Sequence, residues 1–435
     1  MVFIVADEGD DKDAYINIYR RNIWRNIDAF VDRIAAMVPT LKEIRVRYDN
    51  IQSLSKVNRL YIDCVVPELL RLAKRIEYRD CGEAAVLPTF DVGGICDLTH
   101  VKCNYAGDSS RFFQLARQSA QTLQTLDLYV ERNIQTARLI QNDDGSYVTY
   151  SQLVYLRLCL PWWMFSKGEI RPVFSSDVVP FPSLQRIYSV LFYPFGDDTL
   201  FRGNAATLER LQINLGAPTV AMLRRYSVFT PTSHPKLWHV KLKFDDRLMP
   251  DAFATAEEGV AFSLSIGPRA SVREISGGRY TYVPAIALFY FGDHASIQML
   301  VLPWAELSLW DAIALIKSLP LLSELHCRPP HLGEIPAGVP QDDLPAYVCT
   351  HYAPVGKQFR YWHLNVLESS KLTESATCVL LLALVCPSFD YPAIYCSGSW
   401  AFKLAMEEAI ASDMFKEHAP RLRRLAICEC IDMYY

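Results

Sequence analysis

One apolar motif occurs twice within residues 297–327, and its spacing constrains the fold more than any other feature of the chain. The motif is L-x-x-L-x-L, with an aliphatic residue or cysteine at each fixed position. It begins at Ile297 and again, 25 residues later, at Leu322. A unit of this length cannot bury its apolar face alone, so copies of it must stack on one another. The repetition therefore predicts a solenoid.

An amphipathic helix is predicted between the two copies. Ser308 is a suitable N-cap, and Asp311, three residues later, completes a short capping box. Pro320 ends the helix, because proline cannot continue one. The apolar residues that share one face of this helix are Leu309, Ala312, Ile313 and Ile316. Each unit is thus predicted to be a strand, a turn and a helix.

Copies of the motif recur along most of the chain. Between Leu98 and Leu322, successive copies start 24 to 35 residues apart. The interval from Leu41 to Leu98 has room for two units, so we expect a further strand near Ile76; residues 389–396 suggest another, weaker unit. The motif starts are Leu41, Leu98, Leu123, Leu153, Leu184, Leu208, Leu237, Val272, Ile297, Leu322, Phe359 and Leu422.

These copies also predict the domain organisation. We expect residues 1–22 to be an N-terminal extension or frayed cap, and residues 23–435 to be a single solenoid of about 12 to 14 irregular units. Two intervals interrupt the pattern and are predicted to be insertions. Residues 244–291 are expected to hold an inserted hairpin, and residues 331–354, rich in proline and glycine, a long surface loop.

The repeated motif, with proline shortly before several copies, resembles leucine-rich-repeat proteins. Units long enough to hold a helix are typical of the intracellular type found in ribonuclease inhibitors and in the receptor half of F-box proteins. The phrasing LPWAELSLWDAIALIKSLPLLSELHC is also similar to F-box-associated repeat proteins of fungi. No F-box helices are recognisable before Ile27. The prolines that shortly precede copies of the motif are Pro39, Pro182, Pro235, Pro320 and Pro420.

This resemblance implies an α/β horseshoe, with parallel strands on the concave face and helices on the convex face. It also implies a module that recognises a protein ligand through the concave face. The finer hypothesis is the substrate receptor of an F-box-type ubiquitin ligase, which would bind the SCF adaptor. A structural scaffold without a ligase role is the alternative, and a hydrolase assembled from distant repeats is a third hypothesis.

The strand geometry predicts which residues meet the ligand. Alternate residues of a strand face opposite sides, so positions 3, 5 and 7 of each motif point out of the inner wall. Lys and Arg outnumber Asp and Glu there. A basic face with aromatic residues suits an acidic protein ligand, and ordinary solvated polarity is the alternative explanation. The predicted ligand-binding residues are Arg45, Lys102, Arg157, Arg186, Arg210, His239, Lys241, Lys243, His326, Arg328, Tyr361 and His363.

The composition indicates neither nucleic-acid nor membrane binding. The net charge is −4 and the pI is about 6.2, so the chain has no cationic excess. The apolar start of MVFIVADEGDDKD is too short for a signal peptide, and the longest apolar run, residues 378–386, is too short to span a bilayer. The twelve cysteines form no C-x-x-C pair. We therefore expect free thiols and a cytoplasmic or nuclear location.

Catalytic and metal-binding motifs are not found in the sequence. Neither Cys428 with Cys430 nor His351 with His363 has the paired spacing of a zinc site. No G-x-S-x-G or H-E-x-x-H motif nominates a nucleophile or a catalytic metal. We therefore expect a protein that is not an enzyme and that has no metal and no cofactor.

Overall fold

The structure is a computed structural model that describes residues 2–7, 13–17, 43–49, 74–79, 97–105, 110–130, 137–142, 144–159, 177–189, 198–215, 217–226, 228–230, 232–244, 256–276, 294–302, 307–352, 361–365, 371–385, 393–397, 400–423 and 426–429. The chain divides into two compact units. The first unit is Met1–Asn214 with Ala221–Val228, and the second is Leu215–Val220 with Phe229–Tyr435. The single solenoid over residues 23–435 stays a prediction.

Parallel strands in sequence order make up most of the first unit. From β3 onwards each strand pairs in parallel with the next one along the chain. The strands are β1 (Val2–Asp7), β2 (Asp13–Asn17), β3 (Glu43–Asp49), β4 (Arg75–Arg79), β5 (His100–Tyr105), β6 (Thr125–Val130), β7 (Tyr155–Cys159), β8 (Arg186–Ser189) and β9 (Arg210–Leu215), the last lying in this unit as far as Asn214.

The second unit repeats this arrangement. Its strands also follow sequence order, and every pairing among them is parallel. Parallel neighbours in sequence order need a crossover in every interval, which is how the units of a solenoid stack. The predicted α/β class and solenoid order are confirmed in each unit. The strands are β10 (His239–Phe244), β11 (Val272–Ser276), β12 (Met299–Leu302), β13 (Glu324–Cys327), β14 (Tyr361–Asn365), β15 (Ala393–Ser397) and β16 (Ala426–Glu429).

Helices occupy many of the intervals between strands. Most are short, and α7 is the longest of those in the described residues. In the second unit α7 packs against α5, α6 and α8, and most of its side chains from Ala376 to Val385 are buried. The helices are α1 (Ser110–Gln118), α2 (Ala137–Ile140), α3 (Ala217–Arg225), α4 (Ala256–Ser265), α5 (Leu309–Ser318), α6 (Leu344–His351), α7 (Leu372–Val385), α8 (Trp400–Ala411) and α9 (Ala419–Leu422).

The strand side chains alternate between core and surface. In β12, Leu300 and Leu302 are buried, whereas Met299 and Val301 are half-buried. The same alternation in β7 and β11 leaves one face of each sheet partly exposed. We call this side the open face. The other side, lined by the motif leucines, forms the core.

Threonine hydroxyl groups join successive repeats at the turns before two of the strands. The Thr122 hydroxyl donates to the carbonyl oxygen of Leu98 at 2.9 Å. Three repeats further along the chain, the Thr207 hydroxyl donates to the carbonyl oxygen of Leu184, also at 2.9 Å. These bonds satisfy carbonyl groups at the first motif position, where the sheet ladder has not yet begun.

Two expected strands and one expected helix are present. The strand predicted near Ile76 is β4, in which Ile76 is buried, and the weaker unit at 389–396 supplies β15. Helix α5 has the predicted capping box: Ser308 Oγ accepts from the Asp311 amide at 3.1 Å, and the Asp311 carboxylate accepts from the Ser308 amide at 3.4 Å. All four residues assigned to its apolar face are buried.

The irregular segments contain elements that the sequence did not predict. Part of 244–291, where a hairpin was predicted, is helix α4, and the predicted loop 331–354 contains α6. Pro345 lies in the first turn of α6, where proline is tolerated. Within residues 1–22, predicted to be an extension or frayed cap, β1 pairs antiparallel with β2, and it also pairs antiparallel with β3. Residues 279–291 lie outside the described part of the chain.

The register of one repeat differs from the prediction by two residues. His239, at motif position 3, lies opposite Val272, which the sequence assigned to position 1. The motif therefore starts at Ala270, and Arg273 takes the place of a core leucine. Arg273 is buried, and its guanidinium donates to the carbonyl oxygens of Ser263, Leu264, Ile266 and Gly267.

Gly267 makes this arrangement possible at the end of α4. Its φ of +60° is the left-handed conformation that glycine adopts readily after a helix. A Cβ atom there would lie 2.7 Å from the Leu237 side chain, so the close approach also requires glycine. The last carbonyl groups of α4 thus turn toward the core, where Arg273 supplies their donors. The last motif is shifted in the same way, because Ala426 lies opposite Ala393.

Among the described residues, no helix combines the length and the apolar character that a membrane crossing requires.

Candidate functional site

The open face of the first unit carries two rows of side chains, because parallel pairing places motif positions opposite one another. Position 3 residues form the first row and position 5 residues the second. The first row contains His100, Thr125, Tyr155, Arg186 and Arg210, and the second contains Lys102, Asp127, Arg157, Tyr188 and Gln212.

Opposite charges alternate along the second row. Lys102 Nζ lies 3.4 Å from a carboxylate oxygen of Glu77 and 4.0 Å from one of Asp127. Arg157 Nη1 lies 3.6 Å from the same Asp127 oxygen, and its guanidinium carbon lies 4.6 Å from the centre of the Tyr188 ring. The acids of neighbouring strands therefore neutralise two of the predicted ligand-binding cations. We call this series the charge ladder.

Asp127 is the most deeply placed member of the charge ladder. It is buried, and this burial raises the pKa of its carboxyl group, although Arg157 and Lys102 act in the opposite direction. Burial also raises the pKa of the Tyr155 hydroxyl to about 12. The Tyr155 side chain is therefore a neutral donor at physiological pH.

The first row places two arginines side by side. Arg186 on β8 lies directly opposite Arg210 on β9, and both side chains are exposed. Tyr155, half-buried on β7, lies opposite Arg186 on the other side. A tyrosine and two adjacent guanidinium groups thus follow one another along three neighbouring strands.

In the second unit, Glu274 gathers two of the predicted residues. Its carboxylate accepts from His239 Nε2 at 2.9 Å and lies 2.8 Å from Lys241 Nζ. Burial opposes the ionisation of Glu274, but the hydrogen bonds from His239 and Lys241 outweigh it and hold the pKa below its usual value. Lys243, further along β10, is exposed.

Glu324 gathers two further predicted residues on the same open face. Its Oε1 atom lies 2.7 Å from His326 Nε2 and 3.0 Å from His363 Nε2. The two imidazole rings stack, with centroids 3.9 Å apart and planes inclined by 16°. Hydrogen bonds from His326 and His363 lower the pKa of Glu324 to about 2, so the carboxylate is ionised at physiological pH.

His326 is the more buried of these two histidines. Its side chain is 8% exposed, against 19% for His363 and 23% for Glu324. Burial lowers the pKa of His326, and this effect outweighs the nearby Glu324 carboxylate. The ring is therefore biased toward the neutral form, which can bind a metal ion through a lone pair. The Glu324, His326 and His363 side chains could hold such an ion, since their ligand atoms all lie within 4.8 Å of one another.

Three predicted residues remain, namely Arg45, Arg328 and Tyr361. Arg328 follows β13 directly and is half-buried. Arg45 lies on β3 opposite Arg75, and Tyr361 lies on β14 opposite Glu324. The side chains of Arg45 and Tyr361 lie outside the described residues.

The predicted ligand-binding site lacked the acidic residues that pair with its cations. Asp127, Glu274 and Glu324 bind predicted cations, but the predicted ligand-binding residues include none of the three. Glu77 was missed because its strand, β4, lacks the leucine pattern. Aligning motif position 5 of successive copies would have placed Lys102 beside Asp127.

Comparisons with known proteins add little to this geometry. No protein-family model matches the chain, and no curated protein matches it. Among solved structures, the chain is similar to the leucine-rich repeat-containing protein LegL7 from Legionella pneumophila, with 12% sequence identity and a TM-score of 0.33. The match covers 70% of this chain and 95% of LegL7. A TM-score this low carries no argument, so the repeat fold rests on the strand order and register of the chain itself.

Proposed function

We propose that the protein is an interaction module that binds an acidic segment of a partner protein on the open face of its first unit. The binding surface consists of Tyr155, Arg157, Arg186, Tyr188 and Arg210, which we call the arginine patch. We propose no catalytic activity for it.

The observation that carries this proposal is the position of Arg186 opposite Arg210 on neighbouring parallel strands, with both side chains exposed. Like charges directly opposite one another in a sheet reduce stability. A carboxylate-bearing ligand would reverse this effect, because each carboxylate can accept two hydrogen bonds from a guanidinium group. The two neighbouring guanidinium groups are therefore suited to bind an anionic ligand.

The rest of the arginine patch suits such a ligand. Arg157 is held by Asp127 on one side and by the Tyr188 ring on the other, so little side-chain entropy is lost when it binds. Tyrosine and arginine are the residues that most often anchor protein interfaces. Lys102, by contrast, lies between the carboxylates of Glu77 and Asp127, so we do not include it in the arginine patch.

The test compares the partners of three forms of the full-length protein by affinity purification and quantitative mass spectrometry. The amount of partner recovered with the Arg186→Glu/Arg210→Glu variant should fall at least about tenfold, because two attractive charges become repulsive ones. Arg224→Glu/Arg225→Glu is the matched control, since it reverses two adjacent, exposed arginines on helix α3. It should recover the partner as the unmodified protein does.

Equal recovery of every partner by both double variants would refute the arginine patch. Circular dichroism spectra and thermal midpoints of the three forms would show whether a loss arises from unfolding. A second expectation is that recovery falls as salt is raised from about 50 to 300 mM, because exposed charges are screened.

The finer proposal is that this module is the substrate receptor of an F-box-type ubiquitin ligase, which would recruit the SCF adaptor. Its support is the resemblance of the repeat to F-box-associated proteins. Recovery of adaptor and cullin subunits in the same purification would support that role. A stable stoichiometric partner without those subunits would favour a scaffold instead.

We also propose a reducing compartment, the cytoplasm or the nucleus. Cys327 and Cys378 are free and buried. Burial raises the pKa values of the Cys327 and Cys378 thiols to about 12, so both are protonated and inert at physiological pH. Imaging of the fluorescently tagged protein tests this location.

A further inference from the structure

Two neighbouring strands of the second unit bring two imidazoles and a carboxylate to one point on the open face. Glu324 and His326 are two residues apart on β13, so they share a side of the strand. His363 lies directly opposite His326 on β14. The carboxylate oxygen Oε1 is 2.7 Å from one Nε2 atom and 3.0 Å from the other.

We propose that Glu324, His326 and His363 form a binding site for a divalent transition-metal ion, with zinc as the principal candidate. Imidazole nitrogen and carboxylate oxygen are ligands that zinc accepts together, and three protein ligands leave a coordination position open. That position would face the open side of the sheet, where water or a partner's side chain can occupy it. The site is independent of the arginine patch, which belongs to the first unit.

The distances are close to those that a metal ion needs. Zinc lies about 2.0–2.2 Å from nitrogen and oxygen ligands, so neighbouring ligand atoms in a tetrahedral site are about 3.3 Å apart. The two oxygen-to-nitrogen distances differ from this by a few tenths of an ångström, and all three ligand atoms lie within 4.8 Å of one another. The three ligand atoms are therefore near enough to share one ion once the rings reorient.

Binding requires the two rings to leave their stack. A ring nitrogen binds a metal ion along the plane of its ring, whereas these rings are nearly parallel, with their centroids 3.9 Å apart. His363 and Glu324 are 19% and 23% exposed, so they have more room to turn than His326. The ion would replace two N–H···O hydrogen bonds with three metal–ligand bonds. The Nε2 proton of each ring would move to Nδ1 or be released to solvent, because a metal ion binds the unprotonated nitrogen.

The strands beneath the site keep its ligands together. Leu325, Cys327 and Trp362 are buried on the core side of β13 and β14. The Trp362 indole N–H is 3.5 Å from the Cys327 sulfur, and it joins the two strands through the core. Ligands carried by such strands stay within reach of one another without a metal ion, which lowers the ordering cost of binding.

The Glu274 cluster provides a matched control within the same sheet. Glu274 also accepts from a histidine on a neighbouring strand, at 2.9 Å, but its second partner is Lys241. A lysine ammonium group has no lone pair and so cannot act as a second ligand. Removal of His239 therefore disturbs a similar histidine–glutamate pair and leaves the proposed metal site complete.

The experiment titrates Zn²⁺ into the metal-free, full-length protein by calorimetry. Co²⁺ serves as a spectroscopic probe, because its visible bands report nitrogen and oxygen ligation. Cys349 is exposed, so all forms carry Cys349→Ser to limit binding by thiols. We expect one equivalent of Zn²⁺ to bind, affinity to fall at least about tenfold in His363→Ala and in Glu324→Gln, and His239→Ala to bind as the parent does.

Thermal unfolding supplies the second readout. Zn²⁺ should raise the midpoint of the parent protein and of His239→Ala, and EDTA should reverse the rise, since a ligand that binds the folded state stabilises it. Both ligand variants should fold in the absence of metal and show no such rise. The proposal is wrong if the parent binds no Zn²⁺ at tens of micromolar, or if His363→Ala and Glu324→Gln bind it as tightly as the parent.

Discussion

The guanidinium group of Arg273 donates a hydrogen bond to the carbonyl oxygen of Leu264, 3.2 Å away at the end of α4. Three further carbonyl oxygens of that helix end accept from the same side chain. Burial lowers the pKa of Arg273 to about 10, which still leaves it charged at physiological pH. Arg273 occupies the position of a core leucine in the motif, and the carbonyl groups at the end of the preceding helix accept its hydrogen bonds.

Replacing Arg273 by leucine tests this relationship. The change restores the apolar motif, yet we expect the free energy of unfolding to fall by about 3 kcal/mol, because buried carbonyl groups lose their donors. The free energy of unfolding of Arg273→Lys should lie between those of the parent protein and Arg273→Leu, since lysine retains the charge but has fewer donors. Urea denaturation followed by circular dichroism measures both. Arg269→Leu, at an exposed position nearby, is the control. Unchanged stability of Arg273→Leu would show that the carbonyl groups need no donor there.

Leu325→Ala tests the motif leucines of the core. Leu325 is 0% exposed, so the truncation should cost about 2–5 kcal/mol in the free energy of unfolding. Leu321→Ala is the matched control, because Leu321 is 43% exposed and its truncation should cost less than about 0.5 kcal/mol. Denaturant midpoints of the two variants give the comparison. Similar costs at both positions would contradict the assigned strand register.

His234 should make stability depend on pH. It is 8% exposed, and burial lowers its pKa to about 4, whereas an unfolded histidine titrates near 6.5. The unfolded state therefore takes up a proton first as pH falls, and stability declines between about pH 6.5 and 4. The loss contributed by His234 is at most about 3 kcal/mol, and below pH 4 it no longer grows.

His234→Phe should flatten that pH dependence. Thermal midpoints measured from pH 7.5 to 4 give the slope for the parent protein and the variant. His351→Gln, an exposed histidine on α6, should leave the slope unchanged. An identical slope in His234→Phe would assign the acid sensitivity to other groups.

Asp127→Asn tests the charge ladder. The asparagine keeps the shape but removes a negative charge that burial disfavours, as the raised pKa of Asp127 indicates. We therefore expect the free energy of unfolding to rise by up to about 1 kcal/mol, although Lys102 and Arg157 lose an acidic neighbour. Asp97→Asn is the control, since that exposed carboxylate lies 3.9 Å from Lys74 and should contribute little. Chemical denaturation of both variants measures the difference. A loss of more than about 1 kcal/mol in Asp127→Asn would show that the two cations outweigh the cost of burial.

Local signals predicted much of the fold. The motif around Leu300 and the capping box of Ser308 and Asp311 depend on residues a few positions apart, so the sequence alone could assign them. The two-residue shift at Val272 could not be seen, because register is fixed by pairing with a strand more than thirty residues away. The burial of Arg273 could not be predicted either, because its partners are carbonyl groups at the end of the preceding helix.

The candidate sites were less predictable than the strands. The open-face direction of Arg186 and His326 follows from alternation along one strand. The arginine pair and the cluster of Glu324, His326 and His363 follow only from pairing between strands. The absence of a local ligand pair predicted no metal site, and the approach of two histidines 37 residues apart could be seen only from the parallel pairing of their strands.

The reversed direction of β1 and β2 has a consequence for polymerisation. A stack of parallel strands ends in a row of unpaired amide and carbonyl groups, which invites a parallel strand from another copy of the chain and could grow into a filament. In the first unit β1 covers that edge of β3, and β2 then presents an antiparallel ribbon. In the described residues, growth at this end would therefore have to begin by pairing with β2 rather than with a strand of the parallel stack.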